Sequence, residues 1–294
     1  MNPLVEPFRD PLTSTFSHVV YDAAGGRAAI IDSVLGYDGP SARTNTVLAD
    51  HLIDFVRRQD LSVDWILETH AHADHLSAGA YLRDQLGGRL AIGRGIIGVQ
   101  QHFQQLFNLG DDFTADGRQF DHLFDANESF AFGGLTGYAL ATPGHTDDSL
   151  TYVIGDAAFI GDTLFAPDTG SARCDFPGGD ARKLFASVQT ILDLPEQTRV
   201  FLCHDYPPDG REPAAETSVA AQRAGNKHLR AGVALADFVK LRLERDATLA
   251  EPLLILPALQ VNIRGGRLPE PDSNGVRYLR LPLNQLGQPA SMAG

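Results

Sequence analysis

Cysteine is scarce in this chain, and its scarcity excludes a class of folds. Cys174 and Cys203 are the only two cysteines among 294 residues. That number is too small for the disulfide framework of a small secreted protein. The first residues also lack the basic stretch and the apolar core of a secretory signal. We therefore expect a reduced, cytoplasmic protein.

Long apolar runs and an excess of positive charge are missing as well. No stretch approaches the roughly 20 consecutive apolar residues that cross a bilayer, so we expect no membrane segment. The formal net charge of −13 would repel phosphates over most of the surface, which argues against nucleic acid as a partner. No glycine-rich dinucleotide fingerprint or P-loop occurs either. An anionic small substrate would need a local cluster of arginine or lysine.

Strand-like and helix-like stretches alternate along most of the chain. They begin with a hairpin around Gly25-Gly26, and such an alternation predicts an α/β protein of two packed sheets with helices outside them. From about residue 233 prolines accumulate and, beyond one more helix, we expect few regular elements. We predict a main domain over 1–235 and a C-terminal extension over 236–294 that packs on it. The predicted helices include residues 75–86, 181–192, 214–224 and 234–243.

Metal-ligating side chains are concentrated directly after one predicted strand. The segment Val63–Glu68 has the pattern of a buried strand, and His70, His72, Asp74 and His75 follow it within a few residues. Three imidazoles and one carboxylate at the carboxyl end of a strand indicate a metal site. Alternate residues of an extended segment point the same way, so His70 and His72 are expected to face one pocket.

Three further candidate ligands occupy the same position after other apolar strands. His145 lies in a Pro-Gly turn, Asp162 follows Phe159-Ile160-Gly161, and His204 follows Val200–Cys203. Strand ends commonly converge on one edge of a sheet, so these side chains are expected to join the first four. Each of the three motifs alone is weak, but all of them in this order form a strong pattern.

The order HxHxDH, then His145, Asp162 and His204, resembles the metallo-β-lactamase superfamily. The resemblance spans roughly residues 15–230. It implies an αββα sandwich of the metallo-β-lactamase type with metal at the edge of the sheets. Its motifs are specific to the superfamily and much less specific to one reaction.

Within that superfamily the seven residues are used in two ways. In a dinuclear hydrolase, one metal is held by His70, His72 and His145, the second by Asp74, His75 and His204, with Asp162 bridging. In a dioxygenase, a single Fe(II) per chain is held by His70, His145 and Asp162. The other four residues, His72, Asp74, His75 and His204, then surround it as hydrogen-bonding groups. Ligand identity alone does not choose between the two.

The segment after Asp162 favours the dioxygenase. Residues 168–179 look similar to the Gly-x-Arg-x-Asp-Phe loop of the persulfide dioxygenases, with Ala172 and Cys174 as small departures, and His204-Asp205-Tyr206 resembles that branch too. The resemblance implies oxidation of glutathione persulfide by O₂ and water to sulfite and glutathione, in a homodimer. The principal alternative is a glyoxalase II-like glutathione thioester hydrolase with two metals. A lactonase or β-lactamase-like hydrolase is a further alternative.

Glutathione carries two carboxylates, so its pocket is expected to offer cations and hydroxyls. Arg173 and Tyr206 are our candidates for catalytic and substrate-binding residues, since both lie just beyond metal ligands. Arg211 and Lys227 are candidates for binding a substrate carboxylate. The structural alternatives are an anchor of its loop for Arg173, packing for Tyr206, and surface charge for Arg211 and Lys227. Cys174 lacks the histidine and asparagine partners of a catalytic thiol.

Overall fold

Two β-sheets of six strands each form the centre of the fold. The structure, a computed structural model, describes residues 1–110 and 113–287. In chain order, the strands of the described residues are β1 Leu4–Arg9, β2 Phe16–Tyr21, β3 Arg27–Ile31, β4 Val34–Asp38, β5 Arg43–Asn45, β6 Ser62–Leu67, β7 Leu76–Ser77, β8 Arg89–Gly93, β9 His122–Phe124, β10 Glu128–Phe132, β11 Leu135–Ala141, β12 Leu150–Ile154, β13 Ala157–Phe159, β14 Arg199–Phe201 and β15 Glu216–Ser218.

The first sheet has the strand order β1-β2-β3-β6-β8-β9 and the second has the order β10-β11-β12-β13-β14-β15. The predicted hairpin around Gly25-Gly26 is present as antiparallel β2 and β3. The pairs β3–β6 and β6–β8 are parallel, as is β13–β14. Because parallel strands end at the same edge, the loops after them open on one side of the molecule.

Helices cover the outer face of each sheet. They are α1 Val47–Arg58, α2 Gly79–Leu86, α3 Ile96–Leu106, α4 Ala181–Leu192, α5 Val219–Gly225, α6 Leu235–Asp246 and α7 Ile255–Asn262. Helix α1 shows why these segments are helical, since its buried side chains recur on one stripe that includes Leu52, Ile53 and Val56. Helix α4 begins where predicted because the Asp180 side chain accepts from the amides of Arg182 and Lys183.

Three apolar layers result from this arrangement. Aromatic and β-branched side chains of both sheets meet in the central layer, with Phe130, Tyr152 and Phe159 among the largest. An outer layer joins the first sheet to α1, α2, α3 and α7, and another joins the second sheet to α4 and α6. The αββα sandwich expected from the sequence is therefore confirmed.

Three of the secondary-structure predictions are wrong at particular places. The helix predicted over 75–86 begins only at Gly79, because Leu76–Ser77 pairs instead with β4. The helix predicted over 214–224 begins at Val219, because Glu216–Ser218 adds a strand beside β14. The tail expected to have few regular elements contains α7.

The C-terminal extension packs on both sides of the sandwich. Helix α6 contacts α4, and α7 contacts β7. The boundary at residue 235 stays a prediction, although it coincides with the start of α6. Within the part of the chain that the structure describes, no helix combines the length and apolar character needed to cross a bilayer.

His18 is a polar group in the central region between the sheets. Its Nε2–H donates to the Leu202 carbonyl over 3.0 Å, and the rings of Phe159 and Phe201 lie 5.5 Å away, centroid to centroid. Burial lowers the pKa of His18 from 6.5 to about 4. In the unfolded chain the same imidazole binds a proton near pH 6.5, so the unfolded state takes up the proton first as the pH falls.

We predict that His18 makes stability depend on pH between about 4.5 and 6. The free energy of unfolding should fall with decreasing pH in this window, and His18→Leu should reduce the slope by about 1.4 kcal/mol per pH unit. Urea unfolding at several pH values, with a chelator present to remove metal, measures both slopes. Equal slopes in the two proteins would contradict the assignment.

Candidate metal centre

The seven predicted ligands converge at the edge where the parallel strands end. His70 to His75 follow β6, His145 follows β11, Asp162 follows β13 and His204 follows β14. All but Asp74 are buried. Their ligand atoms form two groups, in each of which every atom lies within 4.8 Å of the others. The structure thus brings together the side chains that were expected to converge because each follows a strand.

The first group consists of His70, His145 and Asp162, and the second of His72, Asp74, His75 and His204. His204 connects them, since its Nε2 lies 3.0 Å from Asp74 Oδ2 and 3.3 Å from Asp162 Oδ1. His72 belongs to the second group. The His70 and His72 rings also lie close together, with centroids 4.0 Å apart, so the dinuclear arrangement that puts His72 with His70 and His145 stays a prediction.

Asp32 fixes the orientation of the first two histidines. Its Oδ1 accepts from His72 Nε2 over 3.0 Å, and its Oδ2 accepts from the Thr69 hydroxyl over 2.9 Å. Because that hydroxyl proton is given to Asp32, Thr69 Oγ1 accepts from His70 Nδ1–H over 3.1 Å. His70 therefore presents the lone pair of Nε2 to the site, and His72 presents that of Nδ1.

A second series of hydrogen bonds orients His75 and His204. The Thr13 hydroxyl donates to Asp10 and accepts from Thr15 Oγ1, both over 2.7 Å. Thr15 Oγ1 is then the acceptor for Nδ1 of His75 at 3.3 Å and of His204 at 3.4 Å. Each of these two imidazoles therefore presents its Nε2 lone pair to the site.

His145 is oriented by the backbone. Its Nδ1–H donates to the carbonyl of Arg173 over 2.8 Å, which leaves the Nε2 lone pair free. A carbonyl only accepts, so this contact fixes the tautomer. Each of the five histidines thus directs its second ring nitrogen to one place.

The donor atoms at that place fit a metal. Six of them are buried without a hydrogen-bond partner among the described residues: His70 Nε2, His72 Nδ1, Asp74 Oδ2, Asp162 Oδ1, His75 Nε2 and His204 Nε2. Leaving one buried polar atom unpaired costs about 1–3 kcal/mol, so a cluster of six calls for a ligand. Imidazole and carboxylate donors suit a first-row transition metal.

The local electrostatics keep His70 and His72 neutral. Burial and neighbouring imidazoles lower the pKa of His70 and His72 well below the ordinary value. Burial alone would lower the pKa of His204, but the negative charges of Asp162 and Asp74 outweigh burial, so the pKa of His204 is raised. Burial alone would raise the pKa of Asp74, but His204 and His75 outweigh burial, so the pKa of Asp74 lies well below its ordinary value. Metal binding at neutral pH thus needs little proton release from His70 and His72.

Both cysteines are buried near the site but do not form thiolates. Burial raises the pKa of the Cys203 thiol, next to His204, well above its usual range. Burial likewise raises the pKa of Cys174. Neither has the low pKa of a reactive cysteine.

A cavity of about 730 Å³ opens onto the first group of ligands. His145, Asp162 and Asp74 lie at its inner end, and much of its wall is apolar. One side is formed by the C-terminal extension, through residues of α6 and the segment 249–254. Its volume is in the range of small-molecule sites.

Arg173 and Tyr206 both line this cavity. The Arg173 guanidinium donates to both oxygens of Asp175, each over 2.6 Å, and to the Ala250 carbonyl over 2.7 Å. Three of its five N–H groups are thus committed to holding the loop. The Tyr206 ring stacks on His204 with centroids 5.7 Å apart. Burial raises the pKa of its phenol, so Tyr206 keeps its proton.

The structure argues against Arg211 as a residue that binds a substrate carboxylate. Its guanidinium donates to both oxygens of Asp205 and both oxygens of Asp168, and to the Glu212 carbonyl, over 2.7–3.0 Å. All five N–H groups are therefore used inside the protein. Lys227 is exposed and is not among the residues that line the cavity.

Sequence reasoning missed Arg245, which does line the cavity. It is exposed, and its guanidinium makes no hydrogen bond or ion pair with other described residues. Burial is the main cause that lowers the pKa of His228 to about 4, and the positive charges of Arg242, Arg245 and Lys227 lower it further. No sequence signal pointed to it, because Arg245 lies beyond the helix predicted over 234–243.

Comparison with known proteins identifies the family. The model of the metallo-beta-lactamase superfamily matches residues 11–204, which contain all seven ligands. The chain belongs to this superfamily. The resemblance stated from the ligand motifs is therefore confirmed.

Relatives in the superfamily carry different names. A probable metallo-hydrolase of Burkholderia pseudomallei is 51% identical over 96% of this chain and 99% of its own length. Glyoxylase B2 of Dictyostelium discoideum is 46% identical over 97% and 98%. The mitochondrial persulfide dioxygenase ETHE1 of Homo sapiens is 27% identical over 90% and 89%. The chain spans 65% of the length of a beta-lactamase hydrolase-like protein of Agrobacterium fabrum, which is 52% identical.

A solved structure of similar fold is that of ETHE1 from Myxococcus xanthus. The two chains superpose with a TM-score of 0.71 and 28% identity, over 90% of this chain and all of that one. The distant likeness to persulfide dioxygenases expected from residues 168–179 is thus present in sequence and in fold.

Gly144 lets the turn that carries His145 pack against α4. Its φ is +138°, and a Cβ at this position would overlap the backbone N and Cα of Leu184. The turn is further held by hydrogen bonds from Gly144 N to the Thr146 carbonyl and from Asp180 N to the Gly144 carbonyl. Only glycine combines this backbone conformation with such a close approach.

We predict that Gly144→Ala lowers the free energy of unfolding by roughly 2–4 kcal/mol, since strain and steric overlap add. Gly98→Ala is the matched control, because a Cβ on Gly98 in α3 meets open space. That change should stabilise the protein by up to about 1 kcal/mol. Urea unfolding of both variants tests the pair, and equal effects would contradict the packing argument.

Proposed function

We propose that the protein is a persulfide dioxygenase with one Fe(II) per chain. The observation that carries the proposal is the group of His70, His145 and Asp162, of which His145 and Asp162 line the cavity. The distant likeness to two ETHE1 proteins supports it. The reaction converts glutathione persulfide, O₂ and water into glutathione, sulfite and two protons. The outer sulfur gives four electrons to O₂, so no further reductant is required.

His70, His145 and Asp162 would hold the Fe(II), and a metal held by two imidazoles and one carboxylate would supply reactivity towards O₂. The chain's own part is to hold those donors ready. Asp32 acting through Thr69 sets His70, and the Arg173 carbonyl sets His145. Asp162 lies next to His145, with its Oδ2 3.7 Å from Nε2.

The cavity supplies groups that match an anionic, partly apolar substrate. Arg245 offers an unpaired guanidinium for a glutathione carboxylate, in place of Arg211. The Tyr206 hydroxyl stays protonated and can donate a hydrogen bond near the ligands. Phe165, Phe176 and Leu249 also line the cavity and give it apolar surface.

The alternative is a dinuclear hydrolase that acts on a glutathione thioester. The observation that favours it is the second group of His72, Asp74, His75 and His204, each of which has an unpaired donor atom of the type a second metal needs. The relative named glyoxylase B2 supports this alternative as well. A homodimer and a cytoplasmic location stay predictions.

Metal content and O₂ uptake separate the two functions. We expect one iron per chain after anaerobic purification, and consumption of O₂ with formation of sulfite when glutathione persulfide is added. His204→Ala should keep that iron, because His204 is outside the first group. Two metals per chain, no O₂ uptake and hydrolysis of a glutathione thioester would instead establish the hydrolase.

Arg245 should govern substrate binding. We expect Arg245→Leu to raise KM for glutathione persulfide about 10–100-fold, as for loss of a hydrogen bond to a charged group, with kcat little changed. The matched control is Lys240→Leu, which removes the same charge from an exposed position on the same helix. Equal KM values in the two variants would exclude Arg245 from the binding site.

A further inference from the structure

Asn262 joins the C-terminal extension to the loop that carries four of the ligands. It is the last residue of α7 and is buried. Its Nδ2 donates to the carbonyl of His72 over 2.7 Å and to that of His75 over 2.8 Å. Its Oδ1 accepts from Ser77 N over 2.7 Å. One side chain thus satisfies three backbone groups of this loop.

A second buried contact joins the extension to the loop that orients His145. Asp246 of α6 accepts from Cys174 N over 2.9 Å and from Arg242 Nε over 2.9 Å. The Arg242 guanidinium in turn donates to the Ser171 carbonyl over 3.0 Å. Arg173 lies between these two anchored residues, and its carbonyl is the acceptor for His145.

We propose that Asn262 and Asp246 are positioning residues for the metal ligands, so that the C-terminal extension is part of the metal centre. The two loops that they hold are short of regular structure, apart from the two residues of β7. Their backbone groups are buried and find partners in these side chains, and an alternative loop geometry would leave those groups unpaired. The loop that carries the Arg173 carbonyl is held at Cys174 by Asp246, and at Ser171 by Arg242 and by His228 Nδ1, which accepts from Ser171 N over 3.0 Å.

The inference depends on the ligand set and not on whether the protein is a dioxygenase or a hydrolase. It predicts that a change in the extension, outside the family match at residues 11–204, weakens metal binding. Removing a residue that orients a metal ligand commonly weakens metal binding 10–100-fold.

The chain offers a closely matched control on the same helix. Gln260 is also buried in α7 and also makes three hydrogen bonds, but to Leu256 and Arg280 in the extension itself. Replacing either side chain by leucine removes three buried hydrogen bonds. Only Asn262→Leu removes them from the metal loop.

The test measures the Kd of the full-length apo-protein for Zn²⁺ by competition with a chromophoric chelator. The Co²⁺ absorption spectrum of each variant reports the ligand field, and urea unfolding of the apo-protein reports stability. We expect Asn262→Leu to weaken Zn²⁺ binding at least about 10-fold and to alter the Co²⁺ spectrum. Gln260→Leu should lower apo stability similarly but leave Kd within about twofold.

Asp246→Asn tests the second contact with the same measurements. If Asn262→Leu does not fold, the result for Asp246→Asn decides whether the proposal stands. Asp246→Asn keeps the size of the side chain and should weaken Zn²⁺ binding by a similar factor. The proposal would be overturned if the soluble variants among Asn262→Leu and Asp246→Asn had the same Zn²⁺ affinity and Co²⁺ spectrum as Gln260→Leu. Failure of O₂ uptake in the wild-type protein would bear only on the proposed function, because these measurements use neither substrate nor O₂.

Discussion

Buried lone pairs that have no partner in the protein are the constraint around which this structure is built. Six donor atoms face one another at the edge of the sheets, where water cannot easily compensate them. Within the group, the carboxylates of Asp74 and Asp162 approach His204. The surrounding structure holds the five histidines from behind, through Asp32, Thr15, the Arg173 carbonyl and Asn262. A metal that binds these donor atoms removes the cost of leaving them unpaired, and this gain contributes to the binding free energy.

Much of the fold and of this centre was accessible from the sequence. Each ligand motif follows an apolar strand, and strands that pair in parallel bring their ends to the same edge. Helix α4 was predictable to the residue because Asp180 caps an amphipathic stretch. The hydrogen bond from His72 Nε2 to Asp32 was not, since it depends on which way the loop turns after β6.

The errors have identifiable physical causes. Leu76–Ser77 is extended because it pairs with β4, a long-range contact that local helical periodicity does not reveal. Helix α7 was hidden by Pro257, which suggests a break but lies in the first turn, where the missing N–H does no harm. Arg211 and Arg245 look alike in the sequence. Only the fold shows that carboxylates surround the first guanidinium, whereas the second has no partner among the described residues.

The buried state of both cysteines has a practical consequence for handling the protein. Thiol reagents attack the thiolate, and Cys174 and Cys203 are both enclosed and protonated in the native state. Alkylation of the intact protein should therefore be limited by transient opening of the structure and not by the chemistry of the reagent. Cys174 lies on the loop that orients His145, and Cys203 lies beside His204. The two sulfurs are thus natural reporters of local opening, one for each side of the metal centre.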